Sequence, residues 1–160
     1  MDAFPAAELR WLAQWLAAVW ALGIAAWDWR FRRVPNAALV IAVVAGLGLL
    51  LAIGCGPVAS GWCDSLAGLA VATVWWLPGL WLRQLGAGDV KFAACIGLLL
   101  GAAAAFEAML LAAAALGTMA VATRMRSRPM RSRPDPRLPA AGALCAGMLV
   151  RLGWGPIWVG

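Results

Sequence analysis

From residue 90 to residue 123 the chain runs for 34 positions with Lys91 and Glu107 as the only charges. As one helix this stretch would be a rod of about 50 Å, too long for a single crossing of a hydrocarbon core about 30 Å thick. Segments within it, such as 102–105 and 110–116, are unbroken and rich in Ala and Leu. They lack the polar alternation that a barrel strand would need. The stretch therefore reads as two membrane helices divided near Gly101, at about 89–100 and 103–123. The first of the two is short for a crossing.

The rest of the chain agrees. Only 12% of the 160 residues are charged and 64% are hydrophobic. A soluble domain carries about 25% charged residues, so there is too little polar surface here to cover a soluble fold. The expected class is all-α: a polytopic membrane protein of about six helices, forming one domain over 1–160. The other spans are expected at about 6–27, 37–53, 64–82 and 138–152. Asp2 and Glu8 precede Arg10, and no small-residue cleavage site follows, so the first span reads as permanent rather than as a removed signal.

Trp11 and Trp15 mark one end of that span, and Trp27 and Trp29 the other, as interfacial aromatic residues do. Pro35 biases its predecessor away from helix, so the segment from Asp28 to Asn36 reads as a turn. Gly54-Cys55-Gly56-Pro57 reads as another turn. Asp64-Ser65 is expected to open the third span as its N-cap, and Pro78 lies inside that span. Pro129, Pro134 and Pro136 keep the arginine-rich segment 124–137 out of helix.

The net charge of +6 comes from basic residues that cluster on one side. Arg30, Arg32, Arg33, Arg83, Lys91, Arg124, Arg126, Arg128, Arg131, Arg133 and Arg137 fall in alternate connections, while only Arg10 and Arg151 fall opposite. The positive-inside rule places the first set in the cytoplasm and both termini outside. The same arrangement explains the charge without nucleic acid. With no histidine and no C-x-x-C among Cys55, Cys63, Cys95 and Cys145, neither a structural zinc site nor a Cys-His nucleophile is expected. Cys55 and Cys63 flank the outer turn, where a disulfide could form. Cys95 and Cys145 read as small apolar packing residues.

Against this background Gly86-Ala87-Gly88-Asp89-Val90-Lys91 stands out, because an ionisable group at the edge of an apolar span is costly. The topology puts Asp28, closing the first span, on the same face as Asp89, opening the fourth. Two carboxylates brought together could share a proton and activate a water for peptide hydrolysis. Gly86 and Gly88 would allow tight turns and close approach of an extended peptide. Lys91 could tune the pair or bind a substrate carboxylate, or could simply snorkel to the interface. Other readings remain open at this point. Asp89 could merely cap its helix, and Asp28 could merely pair with Arg30 or Arg32. Asp28, Asp89 and Lys91 could form an ion relay, or the chain could be a structural subunit of a secretion machine. Asp64, at the outer face, is expected to be a cap, and Glu107 a packing residue.

The segment Asp28-Trp29-Arg30-Phe31-Arg32-Arg33-Val34-Pro35-Asn36 resembles the first-aspartate segment of the type IV prepilin peptidases. Gly86-Ala87-Gly88-Asp89 resembles their GxGD signature, and Leu138-Pro139-Ala140-Ala141 falls where that family has a proline-containing start to its last span. The resemblance implies a membrane aspartic endopeptidase of the bacterial inner membrane. It would cut the basic leader from prepilins or the related pseudopilins at the cytoplasmic face. It also implies Asp28 and Asp89 as the catalytic pair, with Gly86, Gly88, Lys91, Pro35 and Asn36 in support, and no metal or other cofactor. The paired C-x-x-C domain of larger members, linked to N-methylation, has no counterpart here. The chain is similar instead to the compact peptidases of tight-adherence (Flp-type) pilus systems. The 124–137 loop would meet anionic lipid or an assembly partner rather than the equally basic leader.

Overall fold

The computed structural model describes residues 6–31, 34–58, 61–82, 85–126 and 140–154, and all the regular structure among them is helical. Six helices follow in order: α1 (Ala6–Phe31), α2 (Asn36–Ile53), α3 (Trp62–Trp81), α4 (Ala87–Leu100), α5 (Ala102–Arg126) and α6 (Ala140–Trp154). Four of them, α1, α2, α3 and α5, are long and apolar enough to cross a membrane. The 14 residues of α4 and the 15 of α6 give about 21–23 Å each, shorter than a hydrocarbon core.

Several boundaries differ from expectation. Helix α1 continues through Asp28, Trp29 and Arg30 to Phe31, a stretch expected to be a turn. Pro35 constrains only the residue directly before it, so nothing stops the helix earlier. Arg30 in the last turn also complements the helix dipole. Helix α5 likewise runs to Arg126, so Arg124 and Arg126 belong to a helix rather than to the loop. Arg and Met are good helix formers, and the first proline comes only at 129. The remainder of the arginine segment, together with Leu138 and Pro139, lies outside the described residues, as do Arg32, Arg33 and Arg83.

Helix α3 is preceded by Gly61, not capped by Asp64 and Ser65. Asp64 instead reaches across the bundle, and its Oδ1 accepts the Ala102 N–H at 2.9 Å. It is a cap, but of α5. The division of the long apolar stretch falls at Gly101, as expected. There φ is +83°, and a side chain would run into the Asp64 carboxylate, so glycine is required on both counts. Gly54 ends α2 in the same left-handed conformation (φ 73°), its N–H bonded to the Leu50 carbonyl.

Helix α4 is the centre of the bundle. From Val90 onward its residues are buried on nearly every side, among them Phe92, Ile96 and Leu100, as expected of a helix apolar all round. Backbones approach closely where both helices present small residues. Gly68 of α3 faces Gly97 of α4, and a Cβ on either would strike the other's carbonyl oxygen. Gly147 of α6 lies against the Ala108 carbonyl of α5 in the same way.

These contacts make neighbours in sequence antiparallel and give the bundle two ends. At the Gly101 end, Gln14 of α1 donates to the Pro57 carbonyl at 2.9 Å, and the Val58 N–H bonds to the Leu99 carbonyl at 3.3 Å. The thiols of Cys55 and Cys63, in this region, are free, so the disulfide considered from sequence is not formed. The end of α1 and the starts of α2 and α4 share the opposite end.

Candidate active site

Asp89 occupies the first turn of α4. The Gly86 N–H donates to Asp89 Oδ2 at 3.1 Å, and the Asp89 N–H donates to the Gly86 carbonyl, also at 3.1 Å. This reciprocal pair satisfies donors that a helix start leaves open and fixes the rotation of the carboxyl group. A Cβ at Gly86 would stand 3.3 Å from Oδ2 and crowd it. One residue earlier, the Leu85 N–H bonds to the Gly79 carbonyl at 3.2 Å, and the Leu85 side chain covers Gly79 where a Cβ would collide with it. The turn that carries Asp89 is thus fastened to the end of α3.

Asp28 sits in the last turn of α1, half-buried. Its charge acts on Asp89, so the fold brings together two carboxylates 61 positions apart in sequence. Three influences meet at Asp89. Partial burial and repulsion from Asp28 disfavour a second negative charge, and the Gly86 N–H favours it.

Further into the bundle, Trp20 locates α1. Its indole N–H donates to the Ala38 carbonyl of α2 at 2.9 Å, and its ring packs against Phe92 of α4 with centroids 5.3 Å apart. Cys95, buried on α4, directs its Sγ toward the Leu39 carbonyl at 3.8 Å.

The other residues singled out in the sequence fall in different places. Pro35 precedes α2 with an extended backbone (φ −71°, ψ 119°), and Asn36 is the first, exposed residue of that helix. Gly88 does not face open space for a peptide. It faces Val34, whose Cβ would be 3.2 Å from a Cβ placed at position 88. Lys91 is exposed. Two residues on from Asp89 it lies about 200° around the helix, away from the carboxyl pair. Val34, Trp20, Gly79 and Leu85 were not identified from sequence. An apolar residue wedged between Arg33 and Pro35 was the one hint for Val34.

A separate pair of charges lies toward the Gly101 end. Arg151 Nε of α6 and Glu107 Oε2 of α5 are 2.6 Å apart, with side chains 11% and 6% exposed. The two touch as opposite charges but at an angle outside hydrogen-bond geometry. Among the described residues, no three His, Cys, Asp or Glu side chains converge as metal ligands would.

Long apolar helices, with one carboxylate at the end of α1 and another at the start of the short buried α4, define a multi-pass membrane protein with a candidate acid–base site. A family model for the type IV leader peptidase family matches residues 15–121, well over half of the chain, and the chain belongs to that family. The matched region contains both Asp28 and Asp89. Membership makes the protein a peptidase, and so a hydrolase. Neither a curated protein nor a solved structure matches the chain.

Proposed function

We propose that this protein is a membrane aspartic endopeptidase that removes the leader of type IV prepilins or pseudopilins at the cytoplasmic face of the bacterial inner membrane. The observation that carries this reading is that Asp28, at the end of α1, lies near enough to Asp89, at the start of α4, for its charge to be felt there, in a family-matched chain. Two carboxylates brought together in the working enzyme would not both ionise readily, so the pair would share one proton. The ionised group takes a proton from water, which attacks the scissile carbonyl. The protonated group hydrogen-bonds that carbonyl and then helps protonate the leaving amine. The basic connections favour a cytoplasmic position for this end of the bundle, where the leader of a prepilin would lie.

The reading must be separated from a capping role for Asp89, which the Gly86 hydrogen bonds make concrete. Asp89→Asn does so, because the amide oxygen still accepts the Gly86 N–H while the acid–base function is lost. Each variant, Asp28→Asn and Asp89→Asn, is co-expressed with a tagged prepilin, and cleavage is followed by gel. Processing should fall by about 10²–10⁴-fold in each. Wild-type processing by either variant would exclude the pair.

A further inference from the structure

Among the described residues, the two sequence segments that supply Asp28 and Asp89 meet at an apolar joint between Val34 and Gly88. Val34, six residues beyond Asp28, packs at the edge of the core. Its Cβ would stand 3.2 Å from a Cβ at Gly88, its Cγ2 3.5 Å and its backbone N 3.9 Å. Gly88 directly precedes Asp89. Side chain and backbone of Val34 therefore both lie over the bare Gly88, with no spare room for a methyl group.

The two sides of this joint are held differently. Asp89 is tied to its own turn through Gly86, and that turn is tied to α3 through Leu85 and Gly79. Asp28 rides on α1, which Trp20 fixes to α2 and α4 and whose last buried core residue, Ile24, lies four residues, or about 6 Å, back along the helix. Beyond that point α1 could tilt as a lever. The chain leaving it is stiffened by Pro35, which restricts both its own backbone and that of Val34. Contact of Val34 with Gly88 stops the lever.

We propose that Val34 is a positioning residue: seated on Gly88, it sets how closely the Asp28 end of α1 approaches Asp89. The proposal rests on the paired-aspartate reading above. It gives Gly88 a different role from the one expected of a flexible turn, because the missing side chain is the seat for a neighbour. In this role Val34 would affect the rate through the placement of Asp28 rather than by touching substrate. Displacement of one reacting group by an ångström costs about 10²-fold, so a shift of a few tenths is readily measured.

The test exchanges volume across the joint, using the full-length chain in detergent or liposomes and a prepilin as substrate. Gly88→Ala should lower kcat about tenfold while leaving KM within about twofold. Val34→Leu, which overfills the joint from the other side, should do the same. Adding Val34→Ala to Gly88→Ala should restore most of the lost kcat, because the space taken on one side is returned on the other. Rescue supports the joint. Wild-type kcat in both Gly88→Ala and Val34→Leu, or a double variant no faster than Gly88→Ala alone, would overturn it. Asp28→Asn and Asp89→Asn are run alongside. If either processes normally, the paired-aspartate reading falls and takes the positioning role with it. If both are inactive and no rescue occurs, only the role of Val34 falls.

Discussion

Asp89 caps the start of its own helix, and in the proposed site that bond would also aim its carboxyl group. The Gly86 N–H holds Oδ2 and so limits where the rest of the group can face. Lys91 has no comparable tie. It is exposed and lies on another side of α4, as expected of an ammonium group that reaches the interface on an apolar stem. Lys91→Gln should therefore leave prepilin processing within about twofold of wild type, as exposed substitutions generally do. A tenfold loss in the same gel assay would instead make it a substrate contact. That Asp28 and Asp89 would lie at one end of the bundle was legible in the sequence, because ionisable residues are scarce in so apolar a chain. Val34 was not, since an apolar residue in a turn carries no pattern and its partner lies 54 positions away. Asp64 was misplaced for a related reason. An aspartate in the first turn of a helix looks the same in sequence whether it caps that helix or a neighbouring one, and here it caps α5.

Helices α5 and α6 meet through two devices: the close approach of Gly147 to Ala108, and the pair Glu107–Arg151. The pair is nearly enclosed, so each charge depends on the other. Removing one partner of a buried ion pair costs about 3–5 kcal/mol, whereas replacing both by apolar residues of similar volume is often close to neutral. Glu107→Gln should thus lower the thermal unfolding temperature in detergent markedly. The double replacement Glu107→Leu with Arg151→Met should recover most of the loss. Equal melting of Glu107→Gln and the unmodified chain would mean that the charge is solvated. Sequence placed both residues near the outer side but could not pair them, because the register of α6 against α5 is set by packing at Gly147. Helix ends show the same limit. Gly54 and Gly101 marked their boundaries well, since a left-handed residue is needed there. The ends of α1 and α5 were placed too early, because the influence of Pro35 and Pro129 was extended further back than the residue before each.

The whole molecule is a short buried helix, α4, enclosed by longer apolar ones, and its surface suits lipid. Trp11 and Trp15 are exposed toward one end, and Trp29 and Trp81 toward the other, in the positions that interfacial indoles prefer. The helical membrane class was legible from low charge density together with unbroken Ala- and Leu-rich runs. The arginines favour one orientation, and labelling from the two sides of the membrane tests it directly. Cys63 is exposed in the first turn of α3, near the Gly101 end, and Met125 is exposed in the last turn of α5, beyond the level of the carboxyl pair. In a Cys55→Ser background, Cys63 should react with a membrane-impermeant maleimide added to the periplasmic side of intact cells. In a Cys55→Ser, Cys63→Ser background, a cysteine introduced by Met125→Cys should react only after the inner membrane is opened. Cys95 and Cys145, buried in the bundle, should stay unlabelled in both cases and serve as internal controls. The reverse pattern would turn the protein over and put Asp28 and Asp89 on the periplasmic side. A leader held in the cytoplasm could not reach them there, so the same labelling experiment that fixes the topology also decides whether the proposed substrate can meet the site.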